Sequence, residues 1–128
     1  MSYYFAKTLD CGLDEAESRV TEALKAEGFG VLTKIDVAET LKTKIGADFR
    51  PYRILGACNP KLAFEALSAE DKIGLMLPCN VIVQETGAGR SEVAAIDPVA
   101  SMMAIENEKL GVAASHVQGL LRKVVESL

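Results

Sequence analysis

The sequence has no tryptophan, one histidine and only three cysteines, and aromatic residues make up 5% of its 128 positions. Nucleic-acid binders combine a basic stripe with stacking aromatics, and this chain offers neither. A lone His116 forms no catalytic triad without partners brought to it in space. Three cysteines without a dense framework fit reduced thiols rather than a disulfide scaffold, and none falls in a Cys-x-x-Cys pair. No stretch approaches the ~20 apolar residues of a membrane helix, because Asp97 and Glu106 interrupt the most apolar region. Met1 to Leu9 lacks the basic start and long apolar run of a signal peptide. The expectation is a cytoplasmic protein that engages neither membrane nor nucleic acid.

What is present is ordinary for a globular chain: 49% hydrophobic and 25% charged residues, with a net charge of −4. A chain of this size buries roughly two-thirds of its unfolded surface, so residues 1–128 read as one domain that folds without a structural metal. Acids and bases balance through residue 64, and the acidic excess lies beyond it. The one basic concentration, Lys42, Lys44, Arg50 and Arg53, is offset by Asp48 and reads as a solvated helix end and loop.

Strands and helices alternate. Ser2–Thr8 is aromatic-rich and suits a first strand. Asp14 begins a helix with Ala16, Val20, Ala23 and Leu24 at helical spacing, ended by Gly28. Gly30–Val37 alternates as a half-buried strand, with Val31, Thr33, Ile35 and Val37 on one face and Leu32 on the other. A short helix over Ala38–Ile45 stops at Gly46. Tyr52–Cys58 is a third strand, after which Asn59 suits an N-cap with Pro60 at the first helical position. Asn80–Thr86 and Ser91–Ile96 form a hairpin about Gly87-Ala88-Gly89. Asp97-Pro98 opens another helix by the same cap-then-proline logic. The last helix, from about Glu108, carries Leu110, Ala113, Val117, Leu120, Leu121, Val124 and Leu128 on one stripe. Met102 and Met103 read as core filler. The pattern implies α+β: a five-stranded mixed or antiparallel sheet with helices packed on one face.

Two cysteines share a setting, Gly56-Ala57-Cys58-Asn59-Pro60 and Leu77-Pro78-Cys79-Asn80, each at a strand edge with asparagine next and proline close by. Cys58 precedes a helix N-terminus, where unpaired N–H groups and the dipole suit a nucleophilic or redox thiol. Cys79 opens a strand with no helix beside it, and Cys11 reads as incidental in the first loop. The two meet only if their strands run antiparallel; a parallel crossover would separate them by a strand length.

Phe49-Arg50-Pro51-Tyr52-Arg53-Ile54-Leu55-Gly56-Ala57-Cys58-Asn59-Pro60, Leu75-Met76-Leu77-Pro78-Cys79-Asn80-Val81 and Ile96-Asp97-Pro98 resemble the family called domain of unknown function 302. Gly28-Phe29-Gly30-Val31-Leu32-Thr33 and Ile35-Asp36-Val37 fit the same pattern, and the resemblance spans nearly the whole chain. Lys34 departs from it, standing where an acidic residue is expected. The resemblance implies a small, often homodimeric α+β domain with a topology similar to the TATA-binding-protein fold. It implies no settled activity, and DNA binding is not inherited with the fold.

Two function classes follow. The leading one is a non-catalytic, homodimeric module that binds a small molecule or a soft metal at a thiol-lined site, with Cys58, Asn59, Cys79, Asn80 and Asp36 as ligand-binding candidates. Zinc or copper(I) are the metals that two thiolates suit, with His116, a carboxylate or the second subunit needed to complete the set. The alternative is a thiol redox or transfer protein with Cys58 as nucleophile and Cys79 as resolving partner. Dimerisation is expected because an uncovered sheet face or edge invites pairing.

Overall fold

The computed structural model describes residues 2–128. Its strands are β1 (Tyr4–Leu9), β2 (Gly30–Asp36), β3 (Tyr52–Cys58), β4 (Cys79–Gly87) and β5 (Arg90–Ile96). Its helices are α1 (Leu13–Ala26), α2 (Val37–Ile45), α3 (Pro60–Ala69), α4 (Pro98–Ser101) and α5 (Glu108–Glu126), with a 3-10 segment over Asp71–Met76. The strands form one sheet in the order β1-β5-β4-β3-β2, and every neighbouring pair is antiparallel. The fold is therefore α+β, with the sheet wholly antiparallel rather than mixed.

Local chemistry sets the element ends. Asp36 caps α2 by accepting from the Glu39 N–H, and Gly46 closes that helix in the left-handed region at φ 67°. Asn59 Oδ1 accepts from Leu62 N–H at 3.3 Å with Pro60 in the first turn. Asp97 accepts from Val99 and Ala100 above Pro98, and Asn107 caps α5. These are residue types whose short side chains satisfy helix donors that have no partner within the helix. Gly89, at φ 66°, sits in the turn between β4 and β5.

The core lies on one face of the sheet. Ala16, Val20 and Leu24 of α1 and Leu121, Val124 and Val125 of α5 pack against Leu55, Ala57, Val81, Val83, Val93 and Ala95. Every second strand residue thus faces the two helices, as strand alternation requires. Cys11 belongs to this core at 8% exposure, which corrects its reading as an incidental loop residue. The buried hydroxyl of Ser91 donates to its carbonyl at 3.0 Å. A second, smaller cluster of Ala66, Ile73 and Leu110 joins α3 and the 3-10 segment to α5, with Met102 against it. Met103, by contrast, is 71% exposed and is no core filler.

Strand β2 departs from the simple alternation. Val31 pairs with Ala57 and Thr33 with Gly56, so Leu32 is an extra residue and the register shifts there. The bulge moves Val31 and Thr33 to opposite faces, and most of this edge strand is exposed rather than half-buried. Bulges blunt a strand edge against further pairing. Lys34 donates to Glu17 at 2.9 Å, and Arg53 reaches Glu17 and Asp14 at 2.9 and 2.7 Å, tying β2 and β3 to α1. Lys42 pairs with Asp48, and Arg50 lies over the Phe49 and Tyr52 rings, so the basic concentration disperses.

The other sheet face carries a row that crosses all five strands. Ile35 pairs with Ile54, Ile54 with Ile82, Ile82 with Ala94 and Ala94 with Ala6. No helix core residue packs there, and Ile35 is 49% exposed. Gly56 faces the same side, where a Cβ would lie 2.2 Å from Thr33 Oγ1 and 2.7 Å from Pro78 Cγ. Thr33 can rotate away, whereas the proline ring is tied to the chain at the start of β4. Gly56→Ala is accordingly expected to destabilise the fold by about 1–3 kcal/mol. Thr33→Ala in the same protein should restore part of that loss but not all of it, as measured by urea denaturation.

Candidate functional site

Strand β3 ends where β4 begins. Because the two run antiparallel, Ala57 stands opposite Cys79 and Gly56 opposite Asn80, so Cys58 and Cys79 meet at one end of the sheet. The intervening residues leave and return at that same end. They form α3 and the 3-10 segment, which lean on α5 rather than cover the sheet. Between these helices and the sheet end lies a cavity of about 320 Å³.

Its walls are almost wholly apolar. Leu62, Ala63 and Ala66 of α3 face Leu110, Ala113 and Ala114 of α5, with Pro98 and Met102 from the α4 region. The small alanines on both helices leave room that leucines would fill. No lining residue carries a formal charge, and the only side chains with hydrogen-bonding or thiol groups are Cys58, Asn59 and Cys79. Leu32 and Leu67, 66% and 45% exposed, stand at the mouth, while Ala57, Ala66 and Leu110 are buried at depth.

The two thiols differ in access. Cys58 is half-buried, whereas Cys79 is 8% exposed and both are free. Burial pushes the Cys79 thiol up to about 11, and the neighbouring Cys58 adds in the same direction. Asn59 has its oxygen committed to the α3 cap, and its amide nitrogen lies 3.0 Å from the position a Gly28 Cβ would take. Gly28 itself adopts φ 86°, so the loop entering β2 passes close against the cap.

The remaining candidates sit elsewhere. Asn80 is exposed and shares the open sheet face with Gly56. Asp36 caps α2 and lines a shallow depression with Lys34, Glu39 and Lys44. His116 is exposed on α5 in a separate groove with Phe64, Glu65 and Lys109, so the structure does not bring it to the cysteines. Among the described residues, no three His, Cys, Asp or Glu side chains gather as a metal site. No described helix is long and apolar enough to cross a membrane.

The α4–α5 wall of the cavity is what sequence reasoning missed. Its signal was the run of small residues at Ala113 and Ala114 inside an otherwise ordinary amphipathic stripe. The family model described as Domain of unknown function DUF302 matches residues 5–128, and the chain belongs to that family. It is also similar to a crystal structure of an uncharacterized conserved DUF302 protein from Bacillus stearothermophilus. That similarity has a TM-score of 0.89 at 29% identity and covers 98% of each chain. No curated protein matches the chain.

The raised Cys79 thiol links stability to pH. The folded state holds its proton up to about 11, while the unfolded thiol loses it near 9.0. Between those values the native state binds more protons, so stability falls as pH rises. The stabilisation is fully present below pH 9 and amounts to roughly 2–3 kcal/mol for a shift of this size. Denaturation of wild type and Cys79→Val from pH 8 to 11 should show the difference between them shrinking against the wild type by about that amount. Parallel profiles would contradict the burial of this thiol.

Proposed function

We propose that this protein is a binding module for a small, uncharged, apolar molecule, held in the cavity beneath Cys58 and Cys79. The observation that carries the reading is the lining itself: a cavity of about 320 Å³ without a formal charge, opening at exposed Leu32 and Leu67. A cavity of ~150 Å³ lined by leucine and phenylalanine already takes up benzene, so roughly twice that volume accommodates on the order of ten carbon atoms. Apolar clefts with a few placed polar groups are the usual form of small-molecule sites.

The chemistry of the thiols favours this over a metal. Zinc or copper(I) held by two cysteines alone is short of ligands, and among the described residues no third His, Cys, Asp or Glu side chain joins Cys58 and Cys79. It also favours binding over a redox pair. Ala57 rather than Cys58 stands directly opposite Cys79, and burial keeps the Cys79 thiol protonated, which makes it a poor resolving nucleophile.

The neutral fluorophore N-phenyl-1-naphthylamine tests the reading. Its emission should rise on addition of protein with a micromolar dissociation constant. Ala113→Leu, which fills the cavity from α5, should abolish the rise and raise stability by about 1 kcal/mol. Unchanged dye binding in that variant would place the dye elsewhere and defeat the assignment.

The module is homodimeric in this reading. The uncharged row Ile35–Ile54–Ile82–Ala94–Ala6 supports it, because a twofold axis parallel to the sheet plane would stack the row on its own copy. Sedimentation equilibrium at micromolar protein under reducing conditions should give twice the 13.7 kDa chain mass. Ile82→Glu should reduce it to one chain mass. A wild type already at one chain mass would exclude the dimer while leaving the cavity reading in place.

A further inference from the structure

We propose that Cys58 is an S-acylation site, which accepts a medium-chain acyl group from an acyl thioester and seats the chain in the cavity. The proposal rests on the apolar-ligand reading and names the ligand's chemical class and its attachment point. Four observations combine. The cavity has volume for a chain of on the order of ten carbons and has no charge to repel one. Cys58 lines it and is only partly buried, so the carrier of a donor can stay in solvent while its acyl chain enters the cavity. Exposed Leu32 and Leu67 flank the opening and offer the chain an apolar path inward. Cys79 lines the interior at 8% exposure as a free thiol, so the depth of the site presents soft, weakly polar sulfur rather than a group that demands water.

The two thiols thereby take different parts. Burial keeps Cys79 protonated and poorly nucleophilic, and no bulky reagent reaches it. It is a wall of the site. Cys58 is the group that reacts. Its sulfur, having given its proton to solvent, attacks the thioester carbonyl carbon. A new carbon–sulfur bond forms to Cys58 and the bond to the carrier sulfur breaks. The carrier thiolate leaves and takes up a proton from solvent. One thioester is exchanged for another, with no oxidant or reductant consumed. What drives the exchange forward is burial of the chain, since each methylene withdrawn from water is favourable. Chain length is therefore the specificity variable: an acetyl group gains almost nothing from the cavity, whereas an octanoyl group extends into it.

The test is incubation of the reduced wild-type protein with octanoyl-coenzyme A, followed by intact-mass measurement and peptide mapping. The expected result is one octanoyl group per chain, mapped to Cys58 and released by neutral hydroxylamine. Acetyl-coenzyme A at the same concentration should react at least about tenfold more slowly. Ala113→Leu should slow the octanoyl reaction to the acetyl rate, and octanoylated protein should no longer take up N-phenyl-1-naphthylamine. Dye binding without any adduct would overturn the acylation proposal and leave the apolar-ligand reading standing. An adduct at Cys58 formed equally fast from both donors, or equally fast in Ala113→Leu, would overturn it too, because the cavity would then play no part. Failure of the dye itself to bind wild type would remove the reading on which the proposal rests.

Discussion

The antiparallel pairing of β3 with β4 is the constraint on which the rest of the site depends. It brings the end of one strand to the start of the next, and with them Cys58 and Cys79. The intervening chain must therefore leave and return at one end of the sheet. It cannot cross a sheet face as a parallel connection would. Asn59 and Pro60 turn the backbone directly from strand to helix, with the asparagine oxygen satisfying the Leu62 N–H. Helix α3 thus finds its main partners in the 3-10 segment and α5. A cavity at that junction is a consequence of the connection.

Two layers of packing then divide the labour. Large side chains of α1 and α5, such as Leu24 and Leu121, fill the main core without exposure. Farther along α5, Ala113 and Ala114 face Ala63 and Ala66 across the cavity, and their methyl groups do not span the gap. Interiors otherwise pack to the density of organic crystals, so an unfilled apolar volume of this size costs stability in the free protein. A ligand that fills it recovers that cost. This is the physical reason for reading the cavity as a site and not as an accident of packing.

Much of the fold was legible because its signals are local. Asp36, Asn59 and Asp97 were recognisable as element ends, since capping depends on a few neighbouring residues, and β3 runs from Tyr52 to Cys58 as expected. The bulge at Leu32 was hidden, because a period-two pattern carries no mark of where a partner strand skips a residue. Cys11 looked like a loop residue, yet Ser91, far along the chain, holds its carbonyl inside the core. The meeting of Cys58 with Cys79 stayed open for the same reason: strand direction is decided by pairing and not by either cysteine motif. His116 illustrates the converse, a chemically suggestive residue that geometry assigns to another groove.

The central claim is that an open, uncharged space exists between α3, α5 and the sheet end, with both thiols on its wall. Crystals of the protein pressurised with xenon test that claim without assuming any natural ligand, because xenon partitions into dry apolar cavities. The account predicts xenon density enclosed by Leu62, Ala66, Leu110 and Ala114, adjacent to the Cys79 sulfur. Density confined to the open sheet face or the His116 groove, with α3 collapsed onto α5, would contradict it.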